Sequence, residues 1–209
     1  MKKGILIVIS GFSGAGKGTV VNRLINEYDD YALSVSMTTR SPRPGEVDGK
    51  SYFFVSREEF IKRIEEKGFL EYAVYCDNFY GTPLSYVEEQ MEAGKNVILE
   101  IEVQGALQIK EKHPDALLLF VTPPSIQILK DRLYSRQTES VDVIHKRLAQ
   151  AEVESRHMHL YDYVIVNDNL DECVKNTNEI IKAAHSSTVR SVEFIETIKE
   201  ELKLFTEGE

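Results

Sequence analysis

The sequence is poor in cysteine, has no long apolar segment and carries no excess of basic residues. Its 209 residues include two cysteines, Cys76 and Cys173, too few and too far apart for a disulfide framework or a CxxC metal or redox site. Two free thiols are typical of a reducing cytosol. The apolar run Ile5–Ile9 is shorter than a signal-peptide core, and no stretch approaches the roughly 18 apolar residues of a membrane helix. We therefore expect a cytoplasmic protein with no membrane partner.

The charge balance is acidic. The chain has 34 Asp and Glu against 25 Lys and Arg, and its formal net charge is -9. Proteins that coat DNA or RNA usually present a basic surface, so this balance argues against a nucleic-acid partner. It does not exclude a small polyanion that is held by a few well-placed cations.

Apolar stretches of strand length alternate with helical segments. Strands are expected at about 5–9, 32–36, 52–55, 69–75, 97–101, 117–121 and 163–166. Helices are expected at about 17–28, 56–68, 84–93, 104–111, 125–135, 142–159 and 170–185. Such alternation predicts an α/β fold in which helices cover both faces of a central parallel sheet.

The segment 37–91 is more polar than the rest and is interpreted as a β-rich subdomain. It is inserted into a core formed by residues 1–36 and 92–186, so the chain is expected to be a single domain. Within the insertion, Ser56 and Glu59 form a capping box that begins a helix.

The extension at 187–209 differs again. It carries six acidic and three basic residues. Apolar residues at helical spacing predict an amphipathic helix from Ser191 to Phe205. Packing of this helix onto its own domain is favoured over binding of a partner.

A glycine-rich loop follows the first predicted strand and opens the first predicted helix. It reads Gly11-Phe12-Ser13-Gly14-Ala15-Gly16-Lys17-Gly18-Thr19. Glycines allow successive backbone N–H groups to turn toward phosphate oxygens, the helix N-terminus adds partial positive charge, and Lys17 supplies a full charge. The loop departs from GxxxxGK[ST] because Gly18 precedes Thr19. It indicates a bound nucleoside phosphate, but GTPases, motor ATPases and small-molecule kinases all use such a loop.

The segment 34–54 carries two arginines stiffened by prolines. Guanidinium groups bind the oxygens of a phosphate in pairs, so Arg40 and Arg43 suit a monophosphate, to which Tyr52 adds a hydroxyl donor. From these residues alone, an ordinary solvated loop is an equal alternative.

Along nearly all of residues 4–186 the sequence resembles the guanylate kinase family. The matching stretches are 11–19, 36–52 (S-x-T-T-R-x-P-R-x-G-E-x-x-G-x-x-Y), 69–73, 80–82, 99–105 and 164–168. The resemblance implies a three-layer P-loop kinase with an inserted GMP-binding subdomain and an arginine-bearing lid at about 132–147. The implied reaction transfers the γ-phosphoryl group of ATP to GMP, and dGMP is an expected second acceptor.

The resemblance also implies roles for individual residues. The GMP phosphate is held by Arg40, Arg43, Tyr52 and Tyr80. The guanine is surrounded by Ser36, Glu71, Thr82 and Glu102. ATP is bound by Gly11, Ser13, Gly14, Ala15, Gly16, Lys17, Gly18, Thr19 and Asn167. The catalytic cations are Lys17, Arg40, Arg132, Arg136 and Arg147. Because five of the ten arginines belong to this set, we expect a cationic cleft in an acidic exterior.

Base chemistry supports the assignment of Glu71. Guanine presents two adjacent donors, N1–H and the exocyclic amine, and one carboxylate accepts from both, whereas adenine presents an acceptor at N1. Two residues depart from the family pattern. Gln137 stands where relatives commonly carry glycine, and Phe12 replaces a frequent proline.

No fixed protein metal site is expected, since Mg²⁺ arrives with ATP. Contact of Thr19 with the ion is left open, and Glu100 either orients Mg²⁺-bound water or is structural. Two other functions compete: another nucleoside monophosphate kinase, or a catalytically inactive guanylate-kinase-like module that binds proteins. The intact loop argues against the second, and self-association is left open.

Overall fold

The computed structural model describes residues 3–75, 77–135 and 141–206. The strands are β1 (Leu6–Gly11), β2 (Tyr31–Leu33), β3 (Met37–Thr38), β4 (Phe53–Phe54), β5 (Phe69–Tyr75), β6 (Asn78–Pro83), β7 (Asn96–Glu100), β8 (Leu117–Thr122) and β9 (Tyr163–Val166). The helices are α1 (Lys17–Glu27), α2 (Arg57–Glu65), α3 (Leu84–Glu92), α4 (Val103–Lys112), α5 (Ile126–Ser135), α6 (Val141–Ser155), α7 (Leu170–Ala184) and α8 (Val192–Thr206). Two short 3₁₀ turns cover Met158–Leu160 and Thr188–Arg190.

The main sheet has five parallel strands in the order β2-β7-β1-β8-β9. Strand β1 is central, and all of its residues are buried because helices cover both faces of the sheet. This accounts for its uninterrupted apolar sequence, in contrast to the alternating pattern of a half-exposed strand. The predicted α/β fold with a parallel core is confirmed.

A second, mixed sheet has the order β4-β3-β6-β5. Its core is aromatic, since the ring of Phe60 stacks on Phe69 at 4.4 Å and on Phe79 at 5.2 Å between ring centroids. Helix α2, which carries Phe60, begins as predicted at Ser56, whose Oγ accepts a hydrogen bond from the backbone N–H of Glu59.

Several strands differ from those predicted from the sequence. The predicted strand at 32–36 is shorter, because after Leu33 the chain leaves the main sheet and enters the second sheet at Met37. Strand β6 was not predicted. Helix α3 packs on the main core, where Val87 is buried, so the second sheet ends at Pro83.

The C-terminal helix forms, but it does not dock. Residues Val192–Thr206 are helical as predicted, yet none of them is buried, and the exposed fraction reaches 80% at Phe205. The expected packing of this helix onto its own domain is therefore wrong. Arg190 donates to the backbone carbonyls of Asp115 and Ala184, so the contacts with the domain precede the helix.

Cys173 is a buried free thiol, whereas Cys76 lies outside the described residues. No helix within the described ranges has the length and apolar character required to cross a membrane.

Candidate active site

The glycine-rich loop joins β1 to α1 as the sequence predicted. Among the described residues no side chain caps α1, and its first turn carries no acidic residue, so the helix N-terminus presents its partial positive charge toward the loop. Lys17 folds back along the loop, and its Nζ donates to the carbonyl of Gly11 at 2.6 Å. The arrangement is suited to an anion.

Glycine is required at two points of the loop by its conformation and surroundings. Gly16 has φ 93°, and a Cβ on it would lie 2.4 Å from Nδ2 of Asn167. Gly14 has φ 94°, and a Cβ on it would lie 2.9 Å from a methyl carbon of Leu133. Side chains at both positions would therefore be strained.

Asn167 and Arg132 stabilise the loop through hydrogen bonds to backbone carbonyls. The buried amide of Asn167 donates from Nδ2 to the carbonyl of Ala15 at 2.8 Å. Arg132, in the last turn of α5, donates to the Asn167 carbonyl at 2.9 Å and to the Ala15 carbonyl at 3.4 Å. The arginine thus bonds to backbone carbonyls beside the loop.

Arg147 reaches the loop from α6, and its Nη1 donates to Oγ of Ser13 at 2.5 Å. Three of the expected cations, Lys17, Arg132 and Arg147, therefore meet around one loop. Arg136 and Gln137 lie outside the described residues.

Two side chains with oxygen atoms that could contact a metal ion lie where the loop meets the end of β7. Glu100 is exposed at that end, and its Oε2 lies 3.5 Å from the point where a Cβ on Gly18 would stand. Thr19, the next residue, is exposed in the first turn of α1. Carboxylate and hydroxyl oxygens suit Mg²⁺, which usually keeps phosphate and water oxygens among its ligands. Within the described residues no three His, Cys, Asp or Glu lie close enough together to hold a metal ion.

A second cationic site forms on the mixed sheet around Arg40. Its guanidinium lies 5.2 Å from the ring centroid of Tyr52, and the rings of Tyr52 and Tyr80 meet edge to face at 6.0 Å. The backbone of Arg43 belongs to the same site. Its N–H and the guanidinium of Arg40 both donate hydrogen bonds to the carboxylate of Glu46. The structure thus brings together the side chains of Arg40, Tyr52 and Tyr80 with the backbone of Arg43.

Glu46 is the residue of this site to which no role was assigned from sequence. Its two oxygens accept from Nη1 and Nη2 of Arg40, both at 2.8 Å. Hydrogen bonding to Arg40 lowers the pKa of Glu46 to about 2. Its place in the R-x-P-R-x-G-E stretch is the signal that marks it, although spacing alone does not show which arginine it binds.

Buried polar groups lie where β5 and β6 approach the start of α4. Glu71 is 7% exposed, and its Oε1 accepts from Oγ1 of the fully buried Thr82 at 2.7 Å. Its Oε2 lies 3.4 Å from the point where a Cβ on Gly105 would stand, so it faces the turn that begins at Glu102. Burial raises the pKa of Glu71, and the bond from Thr82 opposes that shift. Glu71 is therefore not a surface charge.

Ser36 lies between the two sheets, and its carbonyl accepts from the N–H of Phe53 at 2.9 Å. The segment that carries it joins β2 of the main sheet to β3 of the second. Ser36 thus follows the carboxyl end of a parallel strand, at the edge where open α/β sheets bind their ligands.

A phosphate-binding loop on a parallel sheet, together with a second site rich in arginine, tyrosine and carboxylate, defines a P-loop nucleotide-binding protein of the phosphotransferase class. A sequence profile of the family described as guanylate kinase matches residues 3–184.

Individual relatives agree with the profile. The chain is 50% identical over 190 residues to the guanylate kinase of Lactiplantibacillus plantarum, covering 90% of this chain and 92% of that protein. It is 48% identical over 200 residues to the guanylate kinase of Caldanaerobacter subterraneus, covering 96% and 97%. The crystal structure of guanylate kinase from Anaplasma phagocytophilum matches with a TM-score of 0.71 at 34% identity, covering 90% of each chain. The chain belongs to the guanylate kinase family, the ATP:GMP phosphotransferases.

Proposed function

We propose that this protein transfers the γ-phosphoryl group of ATP to GMP, giving ADP and GDP, with dGMP as a second acceptor. The observation that carries the choice of acceptor is the buried Glu71, which already uses one oxygen on Thr82. A carboxylate in this position accepts from the N1–H and the amine of guanine. An adenine N1 would face it with a second acceptor, so a site of this kind rejects AMP.

The acceptor phosphate binds in the proposal to Arg40, Arg43, Tyr52 and Tyr80. The guanidinium of Arg40 lies over the ring of Tyr52 and donates two hydrogen bonds to Glu46, so its orientation is restricted before a phosphate arrives. Restricting the orientation of a phosphate-binding arginine lowers the entropy lost on binding. The guanine then lies among Ser36, Glu71, Thr82 and Glu102.

The donor binds in the proposal along the loop, from Gly11 to Thr19, with Asn167 supporting it. Transfer of a phosphoryl group requires little covalent chemistry from the protein. It depends mainly on positioning of the substrates and on neutralisation of their charge. Lys17, Arg40, Arg132, Arg136 and Arg147 are the cations assigned to that task. In the proposal, a lid at about 132–147 that carries Arg132, Arg136 and Arg147 closes over the bound substrates and limits transfer to water.

Mg²⁺ is proposed as the cofactor that enters with ATP. Thr19 and Glu100 would lie beside it, Glu100 by orienting water bound to the ion. The ion would neutralise charge on the phosphates of the donor. We also propose that the protein acts in the cytoplasm, since its two cysteines need no oxidising compartment.

Two other functions are tested by the same experiment. ADP production from ATP is measured with GMP, dGMP, AMP, UMP and dTMP as acceptors, with Lys17→Met as the control for chemistry. We expect GMP to be strongly preferred, dGMP to be accepted, and Lys17→Met to lose nearly all activity. A preference for AMP, UMP or dTMP would indicate another nucleoside monophosphate kinase. No ADP production with any acceptor would indicate an inactive protein-binding module.

A further inference from the structure

Glu154 is a buried carboxyl group to which the sequence assigned no role. It lies near the end of α6, and 4% of the residue is exposed. Its Oε1 accepts a hydrogen bond from Gln150 at 3.3 Å, whereas its Oε2 has no partner among the described residues. A buried polar atom left without a partner costs about 1–3 kcal/mol, so its presence here calls for a physical reason.

The neighbours of Glu154 belong to both halves of the site. The carboxyl of Glu102, at the start of α4, lies within hydrogen-bonding range, and the ammonium of Lys17 is near enough to act on its charge. The phenol of Tyr161 is close enough to interact with the charge of Glu154. Burial raises the pKa of Tyr161 to about 12, so this phenol keeps its proton.

Two ionised carboxylates would not bond to each other, because both only accept hydrogen bonds and their charges repel. A proton on Glu154 removes the conflict, since its second oxygen then becomes a donor to Glu102. Burial raises the pKa of Glu154 and the nearby carboxylate of Glu102 raises it further, whereas the bond from Gln150 and the charge of Lys17 oppose this shift. Glu102 is exposed, so its carboxylate is open to a ligand while Glu154 supports it from the protein interior.

We propose that Glu154 is a positioning residue for the acceptor: its Oε2 donates a hydrogen bond to the carboxylate of Glu102 and holds that carboxylate toward the guanine. The proposal rests on the proposed role of Glu102 in binding GMP.

The location of Glu154 on α6 gives this contact a second consequence. Arg147 lies seven residues earlier, about two turns away and on the same face of the helix, and it donates to Ser13 of the phosphate loop. Helix α6 therefore bonds to the donor site with one residue and supports the acceptor site with the other.

The test compares Glu154→Leu with Glu154→Gln, whose amide keeps a donor toward Glu102. The matched control is Glu152→Gln, an exposed carboxylate on the same helix that pairs with Arg156. Steady-state assays of ADP production give kcat and the KM for each substrate. We expect Glu154→Leu to raise the KM for GMP about tenfold while kcat and the KM for ATP stay within about twofold. Glu154→Gln and Glu152→Gln should both stay within about twofold of wild type.

A double variant with Glu102→Ala shows whether the change in the KM for GMP depends on Glu102. In a Glu102→Ala protein there is no carboxylate to position, so adding Glu154→Leu should not raise the KM for GMP further. If Glu154→Leu does not fold, Glu154→Asp replaces it, since a side chain shorter by one methylene no longer reaches Glu102.

Three results would overturn the proposal: equal damage from the Leu and Gln variants, a parallel rise in the KM for ATP, or full additivity with Glu102→Ala. An unchanged KM for GMP in every variant at position 154 would overturn it as well. A wild-type protein that does not phosphorylate GMP would instead contradict the proposed function.

Discussion

At the scale of the residue, single carboxylates carry much of the proposed recognition. Glu71 is buried, bonded to Thr82 and kept near the start of α4, whereas Glu46 is tied to Arg40. Their environments shift the pKa in opposite directions, upward at Glu71 by burial and downward at Glu46 by hydrogen bonding to Arg40. One fold thus buries one carboxylate at the proposed guanine site and fixes another, ionised, against an arginine.

Glu71→Gln is predicted to lower kcat/KM for GMP by about one hundredfold, because an amide offers one acceptor and one donor to the two donors of guanine. The assay is ADP production at low GMP. Glu65→Gln, an exposed carboxylate on α2 of the same subdomain, is the control and should leave kcat/KM unchanged. An unchanged value in Glu71→Gln would remove Glu71 from the guanine site.

Glu71→Gln is also predicted to change how the stability of the protein depends on pH. Because burial raises the pKa of Glu71 above its ordinary 4.5, the folded protein binds this proton more tightly than the unfolded chain. The contribution of Glu71 to stability therefore falls as pH rises from about 4.5 toward the raised pKa. Glutamine has no proton to lose, so urea unfolding should favour Glu71→Gln over wild type more strongly at about pH 8 than at about pH 4.5.

At the scale of the element, the donor site depends on how neighbouring segments support one loop. The loop leaves β1 and enters α1, but its shape also depends on Asn167 after β9 and on Arg132 of α5. These supports come from segments more than one hundred residues away in the chain, as the sequence separations of the two bonds to Ala15 show. A parallel sheet makes this arrangement available, because the carboxyl ends of its strands meet at one edge.

Asn167→Ala is predicted to weaken ATP binding and the fold together. It removes the buried bond to Ala15, which is worth about 1–2 kcal/mol, so we expect a rise of about tenfold in the KM for ATP. The melting temperature should fall by about 3–6 °C for a chain of this size. Asn176→Ala, an exposed change on α7, is the control. A KM for ATP that stays at the wild-type value would mean that the loop holds its shape without this amide.

The elements differ in how far the sequence predicted them. Strand β1 and the loop were predicted correctly, because a run of β-branched residues followed by glycines is compatible with few structures other than a buried strand that ends in a turn. Strand β6 was missed because Asn78–Pro83 contains glycine and proline, and its strand conformation depends on antiparallel pairing with β3 and β5. Local propensity carries no information about such a partner.

At the scale of the whole molecule, the acidic net charge is compatible with a site that holds anions. Lys17, Arg132 and Arg147 surround the loop, while Arg40 and Arg43 lie in the segment that joins β3 to β4 of the second sheet. Three carboxylates, Glu71, Glu100 and Glu102, also belong to the candidate site, so it is not cationic throughout. Charges of both signs suit the proposed binding of a base beside a phosphate.

Removal of α8 is predicted to leave the enzyme intact. No residue of Val192–Thr206 is buried, so a chain that ends at Ser191 loses little apolar burial and keeps the bonds of Arg190. Kinetic constants should be unchanged, the melting temperature should move by less than about 2 °C, and solubility should rise because an exposed apolar face is lost. Calorimetry and turbidity on full-length and shortened proteins check this, and a fall of several degrees would show that the helix is bound to a surface in solution.

Local sequence was sufficient for the parallel core, the phosphate loop and the cap at Ser56, because each depends on residues that are neighbours in the chain. Composition and periodicity also predicted that residues 192–206 form a helix, but not that its apolar face would remain exposed. Which groups meet in space was decided by the tertiary structure. The grip of Glu46 on Arg40, the support of the loop by Asn167 and the burial of Glu154 beside Glu102 arise only when separate elements pack together. Side-chain hydrogen bonds form across distances of about 3 Å, and only the packed fold brings segments that are far apart in sequence to that distance.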